Sequence, residues 1–244
     1  MKLVVVRFSG SAFFLFLFAL LACESHEGAP VRTGEEFVPI QVGAWWEYSM
    51  TETTISPVTG QVNTISDLRV EVLDSIPGSD ETTFVLGRWT RDQGAASWTA
   101  AETWSVRQGK FRWVVQEGNT PFVKLAFPLI EGKTWDGNML NSLGGPDTCN
   151  GTDACDSYKV TGLQKPFEIT GTVSYTDTVT IEESNEDDPI VGKNIQRTIY
   201  AKGVGLVYIE KTIFEYCTVG PCIGQQVVEN GYILKQILTA HGVE

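Results

Sequence analysis

The sequence predicts an all-β protein built on a curved antiparallel sheet or an open barrel. Apolar and polar residues alternate with a period of two, as where Leu68, Val70 and Val72 are separated by Arg69 and Glu71. Frequent Gly, Asn and Asp residues divide the chain into short runs, as turns do. No amphipathic segment of three helical turns follows residue 37. Parallel strands need long crossovers, so we expect the strands to be antiparallel.

A first hairpin is predicted near the middle of the chain. Residues 102–106 and 111–115 are strand-like runs, and residues 107–110 between them form a short polar link. We expect Gly109 to supply the positive φ that a tight hairpin turn needs.

A second group of strands is predicted in the last fifty residues. Residues 195–200 alternate in polarity, and the Gly-Val-Gly segment 203–205 leads into a strand over residues 206–216. A final strand covers residues 226–239. The last two are neighbours in sequence, so we expect them to pair antiparallel.

One internal echo indicates two similar β modules. Residues 39–46 and 128–135 share the pattern Pro-[Ile/Leu]-x-x-Gly-x-x-Trp, and Phe37 and Phe127 precede the two copies. Gly makes a turn and Trp opens a strand in this interpretation. The domain over residues 37–244 would then have halves at 37–124 and 125–244, although a loop design shared by chance remains the alternative.

The N-terminal residues 1–22 have the pattern of a signal peptide. Lys2 and Arg7 form a positive region, and residues 12–22 form an uncharged apolar run. This run is too short to cross a bilayer, which needs about 20 apolar residues. We expect these residues to be removed during export.

The segment Leu20-Leu21-Ala22-Cys23 resembles the lipobox of bacterial lipoproteins. The resemblance implies cleavage before Cys23 and attachment of acyl chains such as palmitate, so the partner would be a lipid bilayer. Two or more chains anchor a protein stably. The alternative is an ordinary signal peptide in which Cys23 is incidental. Residues 23–36 are small and polar, as expected of a flexible tether.

The start of the β domain, with residues 200–207, resembles a broad group of β-rich bacterial lipoproteins without assigned activity. This resemblance implies a cell-envelope location and a β fold. In the sorting rule of such lipoproteins an Asp after the cysteine retains the protein in the inner membrane. Glu24 stands there instead, so we expect the outer membrane.

The charge of the chain argues against a nucleic-acid partner. The formal net charge is −12, and removal of residues 1–22, which hold two basic residues and no acid, makes it −14. Such a surface repels phosphate backbones, and no basic patch interrupts it.

The four cysteines after Cys23 form two close pairs, Cys149 with Cys155 and Cys217 with Cys222. Disulfides persist in an oxidising compartment, so we expect both pairs to be bonded. Other connectivities remain open. Zinc is a rival interpretation, but the spacings lack a nearby His and fit finger-like sites poorly.

No catalytic, cofactor or metal residue is predicted. His26 and His241 lie near the two ends of the chain, where neither is placed to act as a general base. The loop from Asp147 to Asp156 is rich in oxygen ligands and could hold Ca²⁺, but its spacing departs from the calcium-loop pattern. The acidic runs 182–183 and 186–188 are interpreted as the solvated rim of a loop.

The expected function is non-enzymatic binding or surface interaction by a membrane-anchored envelope lipoprotein. Its ligand would be a lipid, a glycan or a protein. Seven tryptophans favour a packed core, with an apolar or sugar-stacking cavity as the minority interpretation. The alternative function is a carboxylate-dependent hydrolase of an envelope glycan, which needs two acids facing each other across a cleft. A purely structural role is a third alternative.

Overall fold

The computed structural model describes residues 33–141, 157–169 and 173–244. These residues contain twelve β-strands, two short 3₁₀ turns (Glu35–Phe37 and Gly220–Cys222) and no α-helix. The strands are β1 Ala44–Ser56, β2 Gly60–Pro77, β3 Glu81–Asp92, β4 Thr99–Gly109, β5 Arg112–Glu117, β6 Thr120–Ala126, β7 Thr134–Asp136, β8 Ser157–Ile169, β9 Val173–Asp188, β10 Gly192–Ala201, β11 Gly205–Tyr216 and β12 Val228–Val243. Within the described ranges, no helix is long and apolar enough to cross a bilayer.

All twelve strands belong to one antiparallel sheet, which confirms the predicted fold class. Its order is β6-β5-β4-β3-β2-β1-β12-β11-β10-β9-β8-β7. Strands β1 to β6 and β7 to β12 are therefore two six-stranded meanders, joined where the first strand pairs with the last.

The sheet curls until its two edges almost meet. Strands β6 and β7 lie at opposite edges of the sheet, yet only residues 127–133 connect them. The Val123 amide donates to the Gly137 carbonyl at 2.8 Å. The indole Nε1 of Trp135 donates to the Val123 carbonyl at 2.7 Å. These bonds tie the edges into a nearly closed barrel.

The glycines of the two echoed segments adopt similar conformations. Gly43 and Gly132 have φ of 82° and 80°, a region that favours glycine. The Gly43 amide donates to the Val72 carbonyl in β2, and the Gly132 amide donates to the Val160 carbonyl in β8, both at 2.9 Å. Each copy is therefore docked on the second strand of its own meander.

The echoed tryptophans also have equivalent roles. Trp46 in β1 donates from Nε1 to the Val204 carbonyl at 2.7 Å, as Trp135 in β7 donates to that of Val123. Each indole ties the first strand of its meander to another part of the barrel.

Cross-strand register shows which side chains face the interior, because direct partners share a face of the sheet. Trp46 pairs with Val70 and Tyr48 with Leu68 on the inner face, whereas Trp45 lies on the outer face. The main core cluster fills the barrel near the start of β1. Its fully buried members include Val114, Leu125, Val160, Val179 and Ile181.

The segment before β1 covers one end of this core. Phe37 and Val38 are buried among the core residues. The Leu129 amide donates to the Thr33 carbonyl, and the Gly203 amide donates to that of Glu36. The last residues of the predicted tether, 33–36, therefore belong to the fold.

Two local expectations differ from the structure. Gly109 is the last residue of β4 and does not have a positive φ, because the hairpin turns at Lys110 and Phe111. The final strand begins at Val228, two residues later than predicted, and continues to Val243 in register with β1.

Replacing Trp135 tests the closure of the barrel. The Trp135→Phe variant should lose about 2 kcal/mol of unfolding free energy, because the buried Val123 carbonyl loses its indole donor. Urea melts followed by far-UV circular dichroism measure this loss. Trp98→Phe is the matched control, since Trp98 instead lies against Arg91. Equal losses in the two variants would contradict a special role for the Trp135 bond.

Candidate functional site

The barrel encloses a cavity of about 500 Å³. This volume lies within the range of small-molecule sites, which is roughly 300–1,000 Å³. Inward-facing residues from both meanders line it, including three tryptophans: Trp46, Trp104 and Trp113. Seven charged residues also line it: Glu52, Arg88, Glu102, Glu117, Lys124, Glu183 and Lys211.

Apolar and charged side chains together line the cavity. Val38 and Ile40, from the segment before β1, line it together with Val106, which is only 2% exposed. Trp46 and Glu52 lie on the same face of β1, six residues apart. The side chain of Glu102, from β4, is 57% exposed. Because Glu102 is this exposed, we infer that the cavity opens near Glu102.

A buried ion cluster lies in the wall of the cavity. Lys124 Nζ is 3.0 Å from Glu183 Oε2 and 3.2 Å from Glu117 Oε1. The Thr198 hydroxyl donates to the other Glu183 oxygen at 2.6 Å. Lys124 and Glu183 are both less than a tenth exposed. Their charges are removed from water and are stabilised by each other.

Burial and pairing act in opposite directions on this cluster. Burial opposes ionisation of Glu183, but the charges of Lys124 and Lys211 and the Thr198 hydroxyl outweigh it and lower the Glu183 pKa. Burial likewise opposes the charge on Lys124, but Glu183 outweighs it and raises the Lys124 pKa. Both groups are therefore charged over the neutral pH range.

The prediction that residues 182–183 form the solvated rim of a loop is wrong. In the pairing of β9 with β10, Glu182 lies opposite Arg197 and Ser184 opposite Gln196, so Glu183 is the extra residue of a β-bulge. Bulges redirect a side chain, and here Glu183 lines the cavity. Residues 186–188 are exposed at the end of β9, as the sequence indicated.

A second charged group lies nearer the mouth. The Arg88 guanidinium stacks on the Trp104 ring, with Cζ 3.5 Å from the ring centroid. Its Nε lies 3.8 Å from Glu102 Oε2, which already accepts a hydrogen bond of 2.7 Å from Trp104 Nε1. Burial lowers the pKa of Arg88, and the Glu102 carboxylate partly offsets this effect. Arg88 is a desolvated cation held flat against an indole.

Glu52 also has a partner. The Tyr232 hydroxyl donates to Glu52 Oε1 at 2.8 Å. Burial, together with this bond to a carboxylate, raises the pKa of Tyr232. The bond links β12 to β1, at the junction of the two meanders.

The cysteines and the candidate calcium loop predicted from the sequence lie away from the cavity or outside the described residues. Cys217 and Cys222 form a disulfide, with Cα atoms 5.9 Å apart, in the link between β11 and β12. Cys23, Cys149, Cys155 and the loop from Asp147 to Asp156 lie outside the described residues. The described part of the chain contains no cluster of three or more His, Cys, Asp or Glu residues that could hold a metal.

Sequence reasoning missed Lys124, although a signal was available. Lys124 is the one charged residue in the run from Phe122 to Pro128. A lysine within such a run, if buried, requires an acidic partner. That partner, Glu183, is 59 positions away and could not be identified without the fold.

No model of a known protein family matches the chain. No curated protein matches it either. Among solved structures, an inferred exported protein with a YmcC-like fold from Bacteroides fragilis is 13% identical, over 84% of this chain and 98% of that one, with a TM-score of 0.42. An inferred lipoprotein from Parabacteroides distasonis is 12% identical, over 83% and 98%, with a TM-score of 0.34. At these TM-scores neither likeness bears on function.

Removing Lys124 tests the ion cluster. Lys124→Met should lower the unfolding free energy by about 3 kcal/mol or more, because it leaves Glu183 buried without its main counter-charge. Adding Glu183→Gln to this variant should restore part of the loss. Lys193→Met is the control, since its partner Asp187 is exposed, and should change little. Additive losses in the double variant would contradict the pairing.

The same cluster should shape the dependence of stability on pH. The Glu183 pKa is lowered from 4.5, so its contribution is complete above that value and is lost as the pH falls through the lowered pKa. The Lys124 pKa is raised from 10.5, so its contribution is lost only as the pH rises through that raised pKa. The unfolding free energies of the wild type and Lys124→Met, measured by urea melts, should therefore differ most at pH values between the lowered Glu183 pKa and the raised Lys124 pKa. They should converge at acid pH.

Proposed function

We propose that this protein is a membrane-anchored envelope lipoprotein whose barrel binds one small molecule and performs no reaction on it. The observation that carries the proposal is the cavity of about 500 Å³ within the barrel. A protein that acted only through its outer surface would gain stability from a filled interior. The aromatic lining favours a ligand with an apolar body.

The distribution of polarity supports a ligand with two chemically different ends. Val38, Ile40 and Val106 would contact an apolar part. Arg88 and Glu102 would contact a polar part near the mouth. Ligand sites commonly combine an apolar lining with a few placed polar groups.

The anchor is proposed from the sequence. The lipobox-like segment Leu20-Leu21-Ala22-Cys23 precedes the first described residue, Thr33, by ten positions. Fully extended, these ten residues would span about 35 Å at most. The proposed acyl chains on Cys23 would thus hold the domain near one bilayer, which we propose is the outer membrane.

The carboxylate-dependent hydrolase is less well supported than binding. A glycosidase needs one acid whose pKa is raised so that it can donate a proton. The two cavity acids that lie close together, Glu117 and Glu183, share Lys124, and the Glu183 pKa is lowered. A stable salt bridge suits this arrangement better than general acid catalysis.

Filling the cavity tests the proposal. The neutral apolar dye N-phenyl-1-naphthylamine should bind the full chain, held in an amphipathic polymer so that no detergent competes. Ile209 lines the cavity, and Ile209→Trp should weaken dye binding by about tenfold or more because the larger ring occupies the space. Dye fluorescence measures the affinity and the stoichiometry.

Ile65→Trp is the matched control. Ile65 is 47% exposed and pairs with Thr51 on the outer face, so this variant should bind the dye as the wild type does. Thermal melts check that both variants are folded. Dye binding that Ile209→Trp leaves unchanged would show that the ligand site is not the barrel interior.

Replacing Cys23 tests the anchor. Cys23→Ser should abolish incorporation of radiolabelled palmitate in bacterial cells and leave an uncleaved precursor, because the acylated sulfur is absent. Cys217→Ser is the control, and its palmitate labelling should equal that of the wild type. Normal cleavage of Cys23→Ser, with membrane attachment unchanged, would contradict the lipoprotein assignment.

A further inference from the structure

The acids that line the cavity all have hydrogen-bonding or ionic partners. Glu52 accepts from Tyr232, and Glu102 accepts from Trp104. Glu117 and Glu183 are both paired with Lys124. The negative charges of the cavity are therefore already engaged within the protein.

Two of the three cations that line the cavity are not engaged in this way. Lys124 is bound to its two glutamates, but neither Arg88 nor Lys211 donates a hydrogen bond to any described residue. Lys211 forms no ion pair within the described ranges. Within the described ranges, the only ion pair of Arg88 is with Glu102, at 3.8 Å, which is beyond hydrogen-bonding distance, and the charge of Glu117 acts on Arg88 from further away. Among the charged residues of the cavity, Arg88 and Lys211 are therefore the ones whose hydrogen-bond donors have no acceptor in the described part of the protein.

Arg88 is held in an orientation that leaves its donors available. Stacking on Trp104 occupies one face of the guanidinium, while its five N–H donors lie in the plane. Its side chain is 17% exposed, and none of its nitrogens is a fully buried atom without a partner, so a molecule in the cavity that Arg88 lines can reach them. An anionic acceptor there would receive charge-assisted hydrogen bonds from the guanidinium.

From this arrangement, and resting on the proposed function, we propose that Arg88 is the anion-binding residue of the cavity. Its ligand is an amphiphile with one anionic head group, a carboxylate or a phosphate monoester. The head group accepts two parallel hydrogen bonds from the guanidinium, which is the geometry that arginine provides and lysine does not. The apolar body lies in the deeper part of the cavity, and Lys211 adds positive charge at the same cavity.

Displacement of N-phenyl-1-naphthylamine from the full chain, in the polymer and at about pH 8, compares four competitors with the same alkyl chain. They are dodecanoate, dodecyl phosphate, dodecanol and dodecylammonium. The wild type should prefer the two anions over the alcohol by about tenfold or more, since a hydrogen bond to a charged group contributes that much. It should bind the ammonium most weakly. The relative affinities of the carboxylate and the phosphate distinguish the two head groups.

Arg88→Met should bring the affinity for the two anions down to that for dodecanol, whereas Arg88→Lys should retain part of the preference for anions. Arg91→Met is the matched control. Arg91 lies on the same strand and also stacks on an indole, at 4.1 Å from Trp98, but it is paired with Asp67 and does not line the cavity. This control should bind all four compounds as the wild type does.

Each outcome has one meaning. If Arg88→Met still binds dodecanol but no longer prefers the anions, the proposal is supported. A wild type that binds dodecanol but shows no preference for anions overturns this proposal and leaves the binding function intact, as does an Arg88→Met variant with undiminished selectivity. If the wild type binds none of the compounds, both are overturned. If Arg88→Met fails to fold, the preferences of Arg88→Lys and of the wild type for the anions over dodecanol still test the proposal.

Discussion

The pairing of the first strand with the last is the interaction on which the rest of the structure depends. The pairing runs from Ala44 opposite Val243 to Ile55 opposite Gly231. Without it, the chain would consist of two six-stranded meanders, each with two open edges that could pair with other chains. The entropy of closing a loop grows only slowly with loop length, so joining distant segments costs little more than joining near ones. The hydrogen bond from Tyr232 to Glu52 joins β12 to β1 within this pairing. Both residues line the cavity, so the pairing of β1 with β12 also builds part of the cavity wall.

Much of the fold could be predicted because strands leave a simple pattern in sequence. Alternation identified β2, whose ladder with β1 is regular, and also β10, although bulges interrupt the ladders of β10 at Gln196–Arg197 and Ile199–Tyr200. The contact between the two edges of the sheet was harder to predict from the sequence. The hydrogen bond from Val123 to Gly137 joins segments that become adjacent only after the whole sheet has curled. Local patterns contain no information about that curvature.

The cavity was harder to predict for a related reason. In a sheet that is partly covered on both faces, alternation separates the two faces without saying which is internal. Bulges then reset the alternation. Glu183 followed Glu182 in an acidic run that looked solvated, and only the bulge opposite Gln196 and Arg197 sends it inward. Arg88 stands between Gly87 and Trp89, and nothing in its local sequence separates it from the arginines that do not line the cavity.

The matching starts of the two meanders carry a consequence for the history of the chain. Gly43 and Gly132 have similar φ angles and bond to equivalent strands, β2 and β8, and the indoles of Trp46 and Trp135 both donate to backbone carbonyls. Such agreement is what duplication of a six-stranded ancestor would leave. A single copy could not have covered its own concave face, so the ancestor would have required association with a second copy. What is now the interior of one barrel would then have begun as the contact between two subunits, and the asymmetric placement of its charges would have arisen after fusion.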